Sequence, residues 1–237
     1  MNEQNEKRDY AYIKRNLNAI RARADAAAAS SPYGQSYELL LATKYATADE
    51  INYAHACGVT KIGENRVQSL LEKYDALNKD GLDIHFIGSL QKNKVKYIID
   101  KVSMIESLDS MALAEEIERQ AAKHQKVMDC LIEVNIGREA QKGGVLPENA
   151  ALFAEKIMQL PHIRLCGIMT MAPKCTDLTD YRKYFRESYH IFIDICEKKL
   201  HNVDRHVLSM GMSQSFEAAL AEGATLIRVG RAAFEKE

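Results

Sequence analysis

The sequence ELLLATK, residues 38–44, runs four apolar residues directly into Thr43 and Lys44. An uninterrupted apolar run of this kind is typical of a strand that is buried on both faces, as in a parallel sheet. Thr47 and Glu50 then have the spacing of a capping box, which predicts the start of a helix. The stretch is therefore interpreted as a strand followed by a helix, with Lys44 at the carboxyl end of the strand.

The same order of strand and helix recurs along the chain. We predict eight strands, at residues 38–44, 60–63, 83–88, 102–106, 127–134, 163–169, 205–209 and 225–230. Helices are predicted between them, at 47–57, 67–77, around 95–99, at 109–123 with Asp109 as its cap, after Pro147, at 178–200 and at 213–222. Eight alternating units favour an α/β fold with a closed parallel sheet, the (β/α)8 or TIM barrel.

An additional helix is predicted before the first strand. Ile13, Leu17, Ile20 and Ala24 fall on one face at helical spacing. We expect this helix to pack outside the barrel or across its bottom. The 237 residues suit one barrel domain, so we assign residues 1–36 to an N-terminal helical extension and 37–234 to the barrel.

Composition excludes several classes of protein. The net charge of -1 gives no electrostatic argument for binding nucleic acid or an anionic membrane. The five cysteines contain no CxxC pair, which argues against a disulfide framework or a zinc site and favours reduced thiols in the cytoplasm. The polar N-terminus lacks a signal peptide, and no apolar run is long enough to span a membrane. We expect a monomer, since no apolar surface patch is evident.

Lys44 is the first candidate for chemistry, because ligands bind at the carboxyl ends of the strands in parallel α/β folds. A partly desolvated lysine can lose its proton and form a Schiff base with an aldehyde. A surface lysine that happens to follow a strand is the commoner case, and the local pattern leaves both interpretations open.

Two segments near the last two strands favour phosphate binding. Residues 209–213, SMGMS, place a glycine turn and the hydroxyl of Ser213 at a predicted helix N-terminus, where free N–H groups attract anions. Gly230 and Arg231 add a close backbone approach and a positive charge. Ser213 can equally be a plain helix N-cap, and Gly230 an ordinary turn at a strand end.

Arg228 lies inside an apolar strand, where a guanidinium needs an acceptor. Glu106, another carboxylate at a strand end, or a ligand group such as a pyridine nitrogen can supply it. His85 at the third strand is more often a satisfied core histidine than a base. Met169 and Met210 are more often packing residues, although methionines also line flat aromatic ligands. No residues have metal-ligand spacing.

Several motifs together resemble the pyridoxal phosphate homeostasis proteins. They span roughly residues 38–234 in the family's order and comprise ATK at 42–44, GENRVQ at 63–68, HFIGSLQKNK at 85–94, EVN at 133–135 with KG at 142–143, GIMTM at 167–171, LSMGMS at 208–213 and RVG at 228–230.

The resemblance implies a barrel similar to the N-terminal domain of alanine racemase, with pyridoxal phosphate (PLP) carried as an aldimine. It assigns Lys44 to the aldimine, Ser209, Ser213, Gly230 and Arg231 to the phosphate segments, and Arg228 to the ring nitrogen. Asn65, His85, Met169 and Met210 are expected near the cofactor. The family is regarded as regulating vitamin B6 and amino-acid balance, without established turnover, and apo-enzymes that use PLP are possible recipients.

Two alternatives remain open. One is a PLP-dependent amino-acid racemase, which needs acid–base groups on both faces of the substrate carbon; we expect no such second group or second domain. The other is a phosphate-handling barrel enzyme without PLP. Two residues depart from the family pattern: Gln214 stands where acidic residues are common, and Arg231 where a small hydroxyl residue often follows the glycine.

Overall fold

The eight predicted strands form one closed parallel barrel. A computed structural model describes residues 9–199 and 206–236. Each strand pairs with the next in chain order, and the first pairs with the last. The strands are β1 (Glu38–Ala42), β2 (Lys61–Glu64), β3 (Asp83–Phe86), β4 (Met104–Leu108), β5 (Met128–Val134), β6 (Ile163–Thr170), β7 (Val207–Ser209) and β8 (Leu226–Val229). The predicted (β/α)8 fold is confirmed.

The helices surround the barrel. They are α1 (Ala11–Ala29), α2 (Ala48–Ala56), α3 (Val67–Tyr74), α4 (Met111–Lys123), α5 (Ala150–Ile157), α6 (Leu178–Lys199), α7 (Phe216–Ala221) and α8 (Arg231–Phe234), with 3-10 helices at Lys92–Tyr97 and Pro147–Asn149. The described residues include no helix that is long and apolar enough to cross a membrane.

Alternation along each strand produces two apolar layers. One set of side chains fills the barrel interior, namely Leu40, Ile87, Met104, Leu131, Cys166, Met169, Val207 and Leu226. The neighbouring residues, such as Leu41 and Ile227, point outward into the layer between the strands and the helices. Successive strand residues face opposite sides of the sheet. A residue two positions after a member of the interior set therefore also faces the barrel axis.

Helix α1 packs on the outside of the barrel, as expected. Its buried face contains Tyr12, Ile13, Leu17, Ile20 and Ala24, and it contacts α7 and α8. The capping box of α2 is also confirmed, since Thr47 accepts from the backbone of Glu50 while Glu50 accepts from that of Thr47.

Three local predictions are corrected. The N-cap of α4 is Ser110 and not Asp109, whose carboxylate instead accepts a hydrogen bond from the Ser110 hydroxyl. The segment around 95–99 forms a 3-10 helix; its apolar positions extend over little more than one turn, which leaves an α-helix without an extended face to bury. Strand β1 ends at Ala42, although the Thr43 N–H still donates to Gly63 O across the sheet.

Helix α7 begins later than predicted. The sequence pattern predicts a start at Ser213, but the helix starts at Phe216 with Ser215 as its N-cap. Residues 213–215 form a turn in which the Ser215 and Phe216 amides donate to Met212 O. The Ser213 hydroxyl accepts from another strand end and so does not cap the helix. The predicted start of the seventh strand at residue 205 lies outside the described residues.

Candidate functional site

Lys44 lies at the carboxyl-terminal mouth of the barrel, two residues beyond β1. It alternates with Leu40 of the interior set and with Ala42, which packs against that set. Its side chain is exposed, so the desolvation expected from the sequence is not present. Its Nζ atom lies 4.8 Å from the centre of the Tyr45 ring. The amine is therefore accessible to a ligand that enters the mouth.

Positive charge gathers around Lys44. The hydrogen bond and the charge of Lys44 lower the pKa of the Tyr45 hydroxyl from its ordinary value, and Arg231 and Arg66 add to this effect. All three basic residues thus act on one exposed tyrosine. A cationic mouth of this kind raises the local concentration of anionic ligands.

A buried chain of polar groups crosses the barrel interior from β3 to β8. His85 Nδ1 lies 2.7 Å from Glu106 Oε1, and the Ser209 hydroxyl donates to Glu106 Oε2 over 2.6 Å. Arg228 donates to Ser209 Oγ over 2.6 Å and to the carbonyl oxygen of Thr170 over 2.8 Å. The acceptors of Arg228 in these bonds are thus Ser209 and Thr170, and Ser209 links Arg228 to Glu106.

The electrostatics of this chain favour the charged form of Glu106. Burial alone would raise the pKa of Glu106, but the hydrogen bond and charge of His85, the charge of Arg228 and the hydroxyl of Ser209 hold it below its usual value. Burial lowers the pKa of Arg228, and Glu106 and Glu133 oppose that effect. Because arginine keeps its charge in proteins, the interior presents a fixed guanidinium.

Glu133 is a titratable group that the sequence pattern did not single out as a site residue. It lies on β5 with the same alternation as Leu131 and is 9% exposed. Burial and the charge of Asp109 raise its pKa to about 7, while Arg228 opposes the shift. A carboxyl group beside the interior guanidinium therefore changes charge near neutral pH.

The two predicted phosphate segments lie against each other. The Gly230 amide donates to Ser213 Oγ at 3.4 Å, and the Arg228 amide donates to Gly211 O at 3.0 Å. Gly211 has a φ of +88°, and an added Cβ would lie 2.5 Å from Ala219 Cβ, so this turn requires glycine. The segment predicted to be a helix N-terminus is instead a turn that joins the ends of β7 and β8.

Asn65 follows β2 at the same mouth. Its Oδ1 atom is buried without a hydrogen-bond partner within the part of the chain that the structure describes. Its backbone is fixed by a close approach to Gly88, where an added Cβ would lie 2.1 Å from Asn65 O. Since buried polar groups normally have partners, this amide is available to a polar ligand.

The two methionines differ in placement. Met169 belongs to the interior set and is in register with Glu133 of β5 and Ser209 of β7. The Met210 side chain is buried in the outer layer instead, so it does not line the barrel interior. Across residues 9–199 and 206–236, no group of three metal-binding side chains comes together.

Sequence reasoning missed Tyr45, Arg66 and Glu133. Tyr45 follows Lys44 directly, and Arg66 follows Asn65, so adjacency to a chosen residue was the available signal for both. For Glu133, the signal was a carboxylate at the penultimate position of an otherwise apolar strand.

Sequence comparison relates the chain to proteins of similar length. It matches the family described as alanine racemase, N-terminal domain, over residues 9–236. It is 45% identical over 197 residues to the pyridoxal phosphate homeostasis protein of Aquifex aeolicus, covering 83% of this chain and 86% of that protein. The protein of the same name from Pseudomonas aeruginosa is 32% identical over 223 residues, with 94% of each covered.

Solved structures agree with this relationship. The structure of PipY from Synechococcus elongatus with PLP bound matches with a TM-score of 0.80 and 28% identity, over 94% of this chain and 100% of that one. Alanine racemase from Corynebacterium glutamicum matches with a TM-score of 0.73 and 14% identity. The match covers 97% of this chain and 62% of the racemase, and at this identity it shows the fold alone.

Proposed function

We infer that this chain, which belongs to the alanine racemase N-terminal domain family and within it to the pyridoxal phosphate homeostasis proteins, binds PLP at the mouth of its barrel. The observation that carries the inference is the combination at one mouth of the accessible amine of Lys44 with the joined turns at Ser213 and Gly230. Two relatives named pyridoxal phosphate homeostasis protein match most of the chain and support the assignment.

The residues of the mouth fit the chemistry of this cofactor. PLP supplies an aldehyde, which condenses with a primary amine and releases water. Lys44 is the amine for this attachment, and its exposed position leaves it open to an incoming aldehyde. Lys44, Arg66 and Arg231 supply positive charge for the dianionic phosphate. The unpartnered Asn65 amide offers a hydrogen bond to a polar substituent of the ring.

Segments 209–213 and 230–231 would hold the phosphate, because a glycine turn, the Ser213 hydroxyl and Arg231 lie together there. Arg228 would meet the ring nitrogen, and Glu106 and Ser209 link His85 to Arg228. Ser209 and the Thr170 carbonyl fix the guanidinium in place. This chain of hydrogen bonds lets Arg228 meet a ligand without rearranging, because both of its anchors belong to the sheet.

The biological role that follows is the regulation of vitamin B6 and amino-acid balance. The protein holds the reactive aldehyde and passes it to apo-enzymes that use PLP, without amino-acid turnover of its own. It acts as a monomer in the cytoplasm, where the free state of its described cysteines is suited to reducing conditions.

The test is a visible absorbance titration of the purified protein with PLP. Wild type is expected to develop a saturable absorbance band of protein-bound PLP, and Lys44→Ala is expected to lack it. Lys61→Met serves as the control, since Lys61 is the first residue of β2 and so lies at the end of the barrel away from the mouth. Absence of the band in wild type, or its persistence in Lys44→Ala, would contradict the proposed attachment.

A further inference from the structure

The turn that carries Lys44 is held by an ion pair between a buried carboxylate of β2 and a partly buried ammonium group of α3. Glu64, the last residue of β2, is 1% exposed and forms an ion pair with Lys73 of α3. Lys73 Nζ also donates to the carbonyl oxygens of Thr43, at 2.9 Å, and Ala46, at 3.3 Å. One ammonium group therefore ties the backbone immediately before Lys44 to the backbone two residues after it.

Thr43 links the turn to the same carboxylate. Its hydroxyl donates to Glu64 Oε1 over 2.6 Å, and the Ala46 amide closes the turn by donating to Thr43 O over 3.1 Å. Alternation explains the geometry, because Thr43 and Glu64 both face outward from the barrel while Lys44 alternates toward the mouth. The outward residues thus fix the backbone from which Lys44 extends.

The side chain of Lys44 has few contacts of its own. Within the described residues, the contact that the structure gives its amine is with the exposed Tyr45. A long, exposed lysine side chain with few contacts takes its direction from the backbone that carries it. The position of the amine therefore depends on the turn at 43–46.

Stability alone gives a poor account of the Glu64–Lys73 pair. Taking two charges out of water costs free energy that their attraction often fails to recover, so apolar replacements are frequently neutral or stabilising. Glu64 Oε2 is also buried without a hydrogen-bond partner within the described part of the chain, which adds to that cost. Such a pair is better explained by the specific backbone geometry that it imposes.

We propose that Glu64, Lys73 and Thr43 are positioning residues that hold the turn at 43–46 so that the Lys44 amine meets the aldehyde of PLP. The inference rests on the proposed function, because it concerns the attachment of PLP to Lys44. None of the three residues touches the cofactor. They act through the backbone of the turn, so they govern the rate of attachment and leave the phosphate site unchanged.

The experiment compares two neutralised ion pairs at opposite ends of β2. The test variant is Glu64→Gln with Lys73→Met, which removes both charges together. The control is Asp83→Asn with Lys61→Met. This variant removes the ion pair between Lys61, the first residue of β2, and Asp83, the first residue of β3. Each protein is mixed with PLP, quenched with borohydride at increasing times and digested, and the labelled Lys44 peptide is quantified by mass spectrometry. Binding of pyridoxine 5′-phosphate, which has the phosphate but no aldehyde, is measured in parallel.

In the test variant, the rate of Lys44 labelling is expected to fall by about tenfold or more, since small misplacements of a reacting group are costly. Affinity for pyridoxine 5′-phosphate is expected to match wild type, and the control variant is expected to label at the wild-type rate. Equal labelling rates in the test variant and the control would overturn the proposal. A parallel loss of pyridoxine 5′-phosphate binding would also overturn it, because that result indicates general damage to the barrel mouth.

Thr43 supplies a second comparison that does not disturb a buried charge pair. Thr43→Val removes the hydroxyl at nearly constant shape and is expected to slow labelling, while Thr43→Ser retains the donor and is expected to restore the rate. Equal rates for these two variants would contradict the role of the hydroxyl. Failure of wild type itself to label at Lys44 would instead refute the proposed function, so the two failures are distinguishable.

Discussion

At the scale of single residues, the burial and the hydrogen-bond partners of each charged side chain determine the properties of the site. Arg228 is buried and yet fully anchored, because Ser209 and the Thr170 carbonyl accept its hydrogen bonds. The sequence predicted that this guanidinium needs an acceptor, and it offered Glu106 as one choice. It could not reveal that Ser209 stands between them, since the pairing of strands four and seven across the interior depends on closure of the barrel.

Lys44 illustrates the same limit. The end of an apolar run predicted its place at the barrel mouth, whereas its exposure depends on the turn that follows β1 and on the orientation of Tyr45. Glu133 was missed as a site residue because a pKa depends on burial and neighbouring charges, which spacing along a strand does not report.

Glu133 supplies a prediction of pH dependence. Its pKa rises from 4.5 to about 7 on folding, chiefly through burial and then through Asp109. The folded protein therefore binds this proton more tightly than the unfolded chain, and the contribution of Glu133 to stability is lost as pH rises from about 4.5 to about 7. Glu133→Gln removes this loss, so we expect the variant to exceed wild type at pH 8 by up to about 3 kcal/mol in the free energy of unfolding.

The measurement is urea unfolding of both proteins at pH 5 and pH 8. The advantage of Glu133→Gln is expected to shrink strongly at pH 5, where the wild-type carboxyl is mostly protonated. Asp109→Asn serves as a second variant, because removing this charge lowers the pKa of Glu133 and weakens the pH dependence. A difference between Glu133→Gln and wild type that stays constant with pH would contradict the assignment.

At the scale of elements, patterns located the strands and helices well but not their ends. The capping box is formed by Thr47 and Glu50, which are close in sequence, so the start of α2 was predictable. The start of α7 was not, because the Ser213 hydroxyl accepts a hydrogen bond from the Gly230 amide, which follows β8. A contact between segments distant in sequence thus converted a predicted helix N-terminus into a turn.

This turn leads to a prediction about the phosphate. Ser213→Ala combined with Arg231→Ala removes a hydroxyl and a positive charge from the joined segments. We expect the affinity for PLP to fall by about tenfold or more, since a hydrogen bond to a charged group contributes roughly 1.5–3 kcal/mol. The affinity for pyridoxal, which lacks the phosphate, is expected to change little. Equilibrium dialysis with both compounds measures the two effects.

Gln214→Ala is the matched control, because Gln214 is an exposed residue of the same turn. It is expected to bind both compounds like wild type. Equal losses of PLP and pyridoxal affinity in the double variant would place the phosphate anchor elsewhere.

At the scale of the whole molecule, the alternation of strands and helices was sufficient to predict a closed barrel. Each apolar strand must bury both of its faces. Eight consecutive strand–helix units achieve this when the sheet closes into a barrel with the helices outside. The same fold is present in alanine racemase, which this chain matches over 62% of the racemase length. Fold alone therefore does not distinguish a carrier from an enzyme.

We expect the protein with PLP bound to lack amino-acid racemisation. Racemisation needs groups that exchange protons on both faces of the substrate carbon, and Tyr45, the tyrosine nearest Lys44 in sequence, contacts the lysine itself. Single enantiomers of alanine and serine are incubated with the protein and followed by chiral analysis and by α-proton exchange in heavy water, with a purified alanine racemase as the positive control. Turnover at an ordinary enzymatic rate of about 1–10³ per second that disappears in Lys44→Ala would establish the enzyme interpretation instead.

The central claim is that Lys44 attaches PLP, and borohydride reduction followed by peptide mass mapping tests it most directly. The protein is incubated with PLP, reduced and digested, in parallel with Lys44→Ala. We predict one phosphopyridoxyl group per chain on the peptide that contains Lys44, and no comparable label in the variant. A label on another lysine, or no label after reduction of the wild-type protein, would contradict the account.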